Sequence, residues 1–206
     1  SYGSRGLGDV YKRQDTNETF KAPVCIMATG NLSTPRKPEF PGLDTFKGEW
    51  YHTGLWPKEG VDFSGKRVGV IGTGSSGVQM MPHIARQAKH LTVFQRTANF
   101  SLPARNAPLN PEKEQKHKAE YSERRKAAYD DLLLNKESND TASEFVRNKI
   151  RETVKDPKTA ELLCPDNHPI GTKRLILDSQ YYEIFNEDHV DLVDVRSAPI
   201  TEITET

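Results

Sequence analysis

One run of six residues constrains this chain more than any other. Gly72-Thr73-Gly74-Ser75-Ser76-Gly77 fits the GxGxxG pattern. It falls between a strand-like run, Lys66 to Ile71, and a stretch readable as a helix from about Ser76 to Ala88. In that setting each glycine has its own steric task. Gly72 allows a tight turn, Gly74 lets backbone approach a pyrophosphate without a Cβ in the way, and Gly77 permits close helix–strand packing. The helix N-terminus adds N–H donors and the positive end of its dipole, and Thr73, Ser75 and Ser76 add hydroxyl donors. With Leu91-Thr92-Val93-Phe94 as the next strand, residues 66–97 form a βαβ unit of the expected size, and Pro82 should kink or loosen its helix. The predicted fold class is α/β, a Rossmann-like dinucleotide-binding domain.

The end of the second strand distinguishes the two nicotinamide cofactors. A carboxylate there bonds the ribose 2′-hydroxyl, whereas an arginine accommodates a 2′-phosphate. The segment reads Phe94-Gln95-Arg96-Thr97 and has no carboxylate, so Arg96 points to NADP(H).

Elsewhere the chain is less specific. The composition changes from about Asn110 to Asp156 to Glu, Lys, Arg, Ala and Leu without a sustained heptad, which predicts a helical insertion packed by one narrow face. Val24 to Ala28, Leu175 to Leu177, Val190 to Val195 and Thr201 to Thr206 read as strands, and Pro35, Pro38 and Pro41-Gly42 as an extended connector. Twenty-nine basic side chains balance 29 acidic ones, which disfavours nucleic acid and anionic membranes as partners. No apolar run reaches the roughly 18 residues of a membrane helix. Cys25, Cys164 and the six histidines show no ligand spacing, so no metal site is expected, and a reducing cytoplasm is the default location. Tyr181-Tyr182 reads as packing around the following strand.

A second motif is far more selective. Phe46-Lys47-Gly48-Glu49-Trp50-Tyr51-His52-Thr53-Gly54-Leu55-Trp56-Pro57 fits FxGxxxHxxxW(P/D), a pattern that arises by chance about 10⁻⁴ times in a chain of this length. Phe46, Gly48, His52, Trp56 and Pro57 resemble the fingerprint of type I Baeyer–Villiger monooxygenases, flavoenzymes that insert oxygen beside a ketone carbonyl. Ala28-Thr29-Gly30 resembles that family's ATG motif, where the chain passes from the flavin to the nicotinamide domain. Pro169-Ile170-Gly171-Thr172-Lys173-Arg174 is similar to its active-site segment.

The resemblance implies FAD and NADP(H) as cofactors, and a ketone and O2 as substrates. Oxygen passes into an ester or lactone by way of a flavin C4a-peroxide. By the same resemblance Gly72, Gly74, Gly77, Arg96, Thr97 and Lys173 would hold NADP, and Arg174 would reach the flavin. A fixed guanidinium there favours the anionic peroxide and the anionic adduct. His52 reads better as a hydrogen-bonded hinge than as a general base.

The expected division is 1–14 as a non-native, adapter-like tail, 15–45 as a remnant of the FAD domain with the crossover, 46–65 as the interdomain linker, and 66–206 as the NADP-binding domain. The family's first GxGxxG, for FAD, does not occur upstream of Ala28. An internal fragment, cut at both ends and inactive alone, is therefore expected. An N- or S-hydroxylating monooxygenase and a non-catalytic NADP-binding module are the alternatives. Choice of ketone and oligomeric state are not legible.

Overall fold

The computed structural model describes residues 9–12, 16–24, 26, 34–106, 108 and 110–206. The chain divides into two compact units, Ser1–Pro38 and Glu39–Thr206. In the first, β1 (Asp9–Lys12) pairs antiparallel with β2 (Thr19–Ala22). Part of the expected tail thus takes part in a hairpin. Of the strand predicted over 24–28, only Val24 and Ile26 are among the described residues, and the Ala28-Thr29-Gly30 motif lies outside them.

The second unit includes the whole 46–65 segment. Its centre is a parallel sheet with strand order β3 (Arg67–Ile71), β4 (His90–Gln95), β7 (Val190–Asp194). Val70 lies opposite Val93, and Val93 opposite Leu192. Alternation in β4 turns Leu91, Val93 and Gln95 to a buried face, as the period of two requires. Between β3 and β4 runs α1 (Ser75–Ala85), whose Val78, Met81, Ile84 and Ala85 are buried at helical spacing. Met81, Leu91 and Val93 are wholly buried. At about 1.5–3 kcal/mol for each large aliphatic side chain, this apolar contact fixes the βαβ unit. The helix ends at Ala85, short of the predicted Ala88, three residues beyond Pro82. There Gln87 and Ala88 N–H groups both donate to Ile84 O, at 3.0 and 2.8 Å, in a tightened last turn.

A second parallel pair, β5 (Ser101–Pro103) and β6 (Ile176–Asp178), is bridged by the helical insertion. The insertion comprises α2 (Pro111–Leu134), α3 (Lys136–Thr153) and α4 (Pro157–Leu163). Its boundaries follow from capping. Asn110 and Asn135 accept from the N–H groups two and three residues on, Asp156 caps Thr159, and Pro111 and Pro157 occupy first-turn positions. Asn135 alone joins α2 to α3. The packed face of α3 carries Asn139, Ser143, Val146 and Ile150, spaced by four, three and four. Arg151 ties α3 to α4 through two bonds to Glu161, at 2.6 and 3.2 Å.

One further prediction needs correction. Thr201 to Thr206 forms no strand. Ile203 N–H donates to Pro41 O at 2.8 Å, and Glu205 O accepts from Lys47 N–H at 2.9 Å. An alternating sequence supplies propensity, but a strand also needs a continuous partner. Tyr181 and Tyr182 are buried as expected, and Tyr181 packs edge-on against Phe185 of a 3₁₀ turn at Glu183–Asn186.

Candidate nucleotide-binding site

The glycine loop leaves β3 at Ile71 and enters α1 at Ser75. Gly72 has φ of +102°, a conformation that favours glycine. Its N–H donates to Phe94 O at 2.9 Å, which prolongs the β3–β4 ladder by one bond. A Cβ on Gly77 would stand 2.6 Å from Gly72 O, so the third glycine is required by backbone contact within the loop itself. A Cβ on Gly74 would meet nothing within 4 Å. The space in front of Gly74 is open, Ser75 and Ser76 are exposed, and the first turn of α1 carries neither an acidic residue nor a side-chain cap. An uncapped N-terminus with open approach and no competing carboxylate fits a phosphate group.

Thr73 differs from its neighbours. It is buried, and its Oγ1 donates to Thr97 O at 2.9 Å. Its own carbonyl accepts from Asn99 Nδ2 at 2.8 Å. The structure thus joins the glycine loop to the loop after β4, where Arg96 is exposed and Thr97 half-buried. Gln95, buried at the end of β4, donates to Leu162 O at 2.7 Å and fixes the same loop to the stretch closing α4.

Lys173 and Arg174 are both exposed and close the turn that leads into β6. Gly171 supplies a φ of +88°, and Thr172 Oγ1 donates to Pro169 O at 2.8 Å. The turn is anchored at Ile170 by α3. Asn139 Nδ2 donates to Ile170 O at 2.8 Å, Ile170 N–H donates to Ser143 Oγ at 3.4 Å, and Ser143 Oγ in turn donates to Asn139 Oδ1 at 3.3 Å. His168, just before the turn, packs edge-on against Phe100. Burial, and next the charge of Lys173, push its pKa below the ordinary value. On the far side β6 is held to α1, whose Gln79 Nε2 donates to Leu177 O at 3.0 Å.

The fingerprint residues make mainly local contacts. His52 Nδ1 accepts from Gly54 N–H at 3.0 Å and caps a 3₁₀ turn at Thr53–Leu55. Trp56 stacks at a tilt between Tyr51 and Phe63, with centroids 5.9 and 6.1 Å away. Pro57 O accepts from Gly60 N–H at 3.1 Å. A Cβ on Gly48 would lie 2.3 Å from the Phe46 ring, so the first two fingerprint positions interlock. Trp50, Tyr51, Leu55 and Trp56 remain exposed.

Three residues of this arrangement were not singled out from the sequence. Asn99 gives no periodic signal, because it acts from an irregular loop. Asn139 and Ser143 do have one, since they continue the stripe of Val146 and Ile150, but a reading restricted to apolar residues passes over them.

A family model for pyridine nucleotide-disulphide oxidoreductases matches residues 7–161. The 2-oxo-Δ3-4,5,5-trimethylcyclopentenylacetyl-CoA monooxygenase of Pseudomonas putida is 42% identical over an aligned span of 239 residues, covering 92% of this chain and 44% of that enzyme. A Baeyer–Villiger monooxygenase of Pseudooceanicola batsensis is 37% identical, covering 92% of this chain and 42% of that protein. Among solved structures, an oxidized steroid monooxygenase bound to NADP aligns with a TM-score of 0.76 and 45% identity, covering 87% of this chain and 42% of that one. The chain therefore spans less than half the length of these relatives. The 239-residue span also exceeds the 206 residues of this chain, so the P. putida enzyme has residues inside the aligned stretch that are missing here.

Proposed function

We propose, for a chain that belongs to the pyridine nucleotide-disulphide oxidoreductase family, that it forms the NADPH-binding part of an FAD-dependent Baeyer–Villiger monooxygenase, which inserts one oxygen atom of O2 beside a ketone carbonyl. The observation that carries this reading is the joining of an open, uncapped phosphate cradle to the loop that bears Arg96. The 46–57 fingerprint and the names of the relatives select oxygen insertion from the chemistries such a cradle can serve.

In this reading the N–H groups at the start of α1 and the hydroxyls of Ser75 and Ser76 bind the pyrophosphate, and Gly74 leaves room for it. Arg96 neutralises the 2′-phosphate, with Thr97 beside it, and Lys173 adds a second cation. When bound, NADPH and FAD supply the reducing electrons and the activation of O2. Arg174 brings a planar guanidinium with several N–H donors, which can stabilise negative charge that develops on a reacting oxygen. The sequence contains a single GxGxxG. Its residues thus offer a cradle for one dinucleotide, and they do not fit the FAD diphosphate as a second one. Fingerprint residues Phe46, Gly48, His52, Trp56 and Pro57 serve in this proposal as a folded connector, with His52 acting through its cap on the 3₁₀ turn.

The test uses the reconstructed full-length enzyme with FAD, NADPH and a panel of cyclic, aromatic and steroidal ketones. Ester or lactone formation coupled to NADPH consumption is the expected outcome. NADPH oxidation with no ester or lactone from any ketone overturns the reading, and oxygenation confined to amines or sulfides assigns the chain to N- or S-hydroxylation instead.

A further inference from the structure

Thr73 lies in the glycine loop, yet its hydroxyl is not directed at the open space in front of Gly74. We propose that Thr73 and Asn99 are positioning residues that set the separation between the pyrophosphate cradle and Arg96, and through it the preference for NADPH over NADH. This assignment rests on the reading of Arg96 as the 2′-phosphate partner.

Two hydrogen bonds define the pair. Thr73 Oγ1 donates to Thr97 O at 2.9 Å, and Asn99 Nδ2 donates to Thr73 O at 2.8 Å. They run in opposite directions between the loop after β3 and the loop after β4. Thr73 is 5% exposed, so its single hydroxyl proton is committed to Thr97 O and is not available to a phosphate. Each bond ends beside a cofactor-facing group, because Gly74 follows Thr73 and Thr97 follows Arg96.

The pair matters because the strand ladder stops short of both groups. The last backbone bond between the two strand ends is Gly72 N–H to Phe94 O, two residues before Arg96. Arg96 is exposed on a loop, and beyond that bond the hydrogen bonds that connect its loop to the cradle, among the described residues, are those of the Thr73 and Asn99 side chains. A nucleotide with a 2′-phosphate must engage cradle and cation together, so it benefits from their being held at the required spacing before it arrives. A nucleotide without that phosphate uses the cradle alone. Loosening the pair therefore burdens NADPH selectively, whereas general damage to the loop weakens both cofactors alike.

The experiment titrates the full-length enzyme with NADP+ and NAD+ for Thr73→Val, Thr73→Ser, Asn99→Ala and Arg96→Ala. Thr73→Val keeps the shape and removes the donor, Thr73→Ser keeps the donor, and Asn99→Ala breaks the reverse bond at a half-buried position. Thr73→Val and Asn99→Ala should each weaken NADP+ binding by roughly tenfold and NAD+ binding by less than about threefold. Thr73→Ser should stay near the parent. Equal losses for the two cofactors, or no loss, in Thr73→Val and Asn99→Ala overturn the positioning role. Should Thr73→Val not fold, Asn99→Ala alone decides. An Arg96→Ala enzyme that keeps its NADP+ preference overturns the underlying 2′-phosphate reading, and the positioning role with it. Loss of preference in Arg96→Ala alone overturns the positioning role and leaves that reading standing.

Discussion

The glycine loop takes its shape from backbone packed on backbone, with Gly77 set against Gly72 O and Gly72 in a left-handed conformation. The 169–174 turn is fastened from outside, by two polar side chains on α3 that hold both the carbonyl and the N–H of Ile170. In the proposed reading the first presents the NADP cradle and the second Lys173 and Arg174, but by different means. Backbone packing leaves almost no tolerance for an added methyl group and announces itself as glycine. A side-chain clamp is spread over residues 31 and 27 positions away in the chain and fails by degrees.

The contrast breaks first at the glycines. Gly77→Ala should cost about 2–3 kcal/mol, because its Cβ meets a carbonyl that cannot move without reshaping the turn. Gly74→Ala should cost about 1 kcal/mol, because no atom awaits that Cβ and only the N-cap preference for glycine is lost, while nucleotide binding drops. Thermal unfolding and cofactor titration of the two variants separate loop-forming from ligand-admitting glycine. A Gly77→Ala protein as stable as the parent would remove the backbone half of the comparison.

Asn139→Ala comes next, at about 1–3 kcal/mol, for it strips the buried Ile170 carbonyl of its donor. In the proposed full-length monooxygenase, displacement of Lys173 and Arg174 should also raise the NADPH consumed per ester formed. Unchanged coupling at reduced stability would confine Asn139 to a structural part. Ser143→Ala should cost about 1 kcal/mol or less, because its two bonds are long, at 3.3 and 3.4 Å.

The smallest effect concerns His168. Its native pKa is held below the ordinary 6.5 by burial and then by Lys173. As pH falls below about 6.5 the unfolded chain takes up this proton first, so the fold loses stability until the lower native pKa is passed, and the loss then levels off. Lys173→Gln should raise the His168 pKa part of the way back, leaving the burial contribution, and should narrow that window. A histidine titration followed by NMR reads it directly, and an unmoved His168 would separate the Lys173 charge from this turn.

Legibility in the sequence follows the same division. The β3–α1–β4 unit could be read at once, since strand alternation, glycine positions and helical spacing all specify one structure. The insertion helices were visible as composition, whereas the Asn and Asp caps that end and divide them emerged from the structure. The three-residue β5 was not visible, because Ser101-Leu102-Pro103 has little strand character until β6 lies beside it. Thr201 to Thr206 erred in the opposite direction, with strand-like alternation that receives only isolated bonds to Pro41 and Lys47. Thr73 was legible as part of a phosphate loop, but its inward rotation depends on a carbonyl 24 residues away.

The sequence by itself determined the class of fold, the place of the phosphate cradle and the cofactor chemistry it resembles. These depend on local rules, namely where a Cβ cannot fit, where a helix can start and which charge follows a strand. Only the tertiary structure decided which polar side chains hold the cradle, the Arg96 loop and the 169–174 turn in place. Hydrogen bonds between distant segments have no sequence period, and whether Thr73, Asn99, Asn139 or Ser143 meets solvent or a buried carbonyl is settled only when the elements pack.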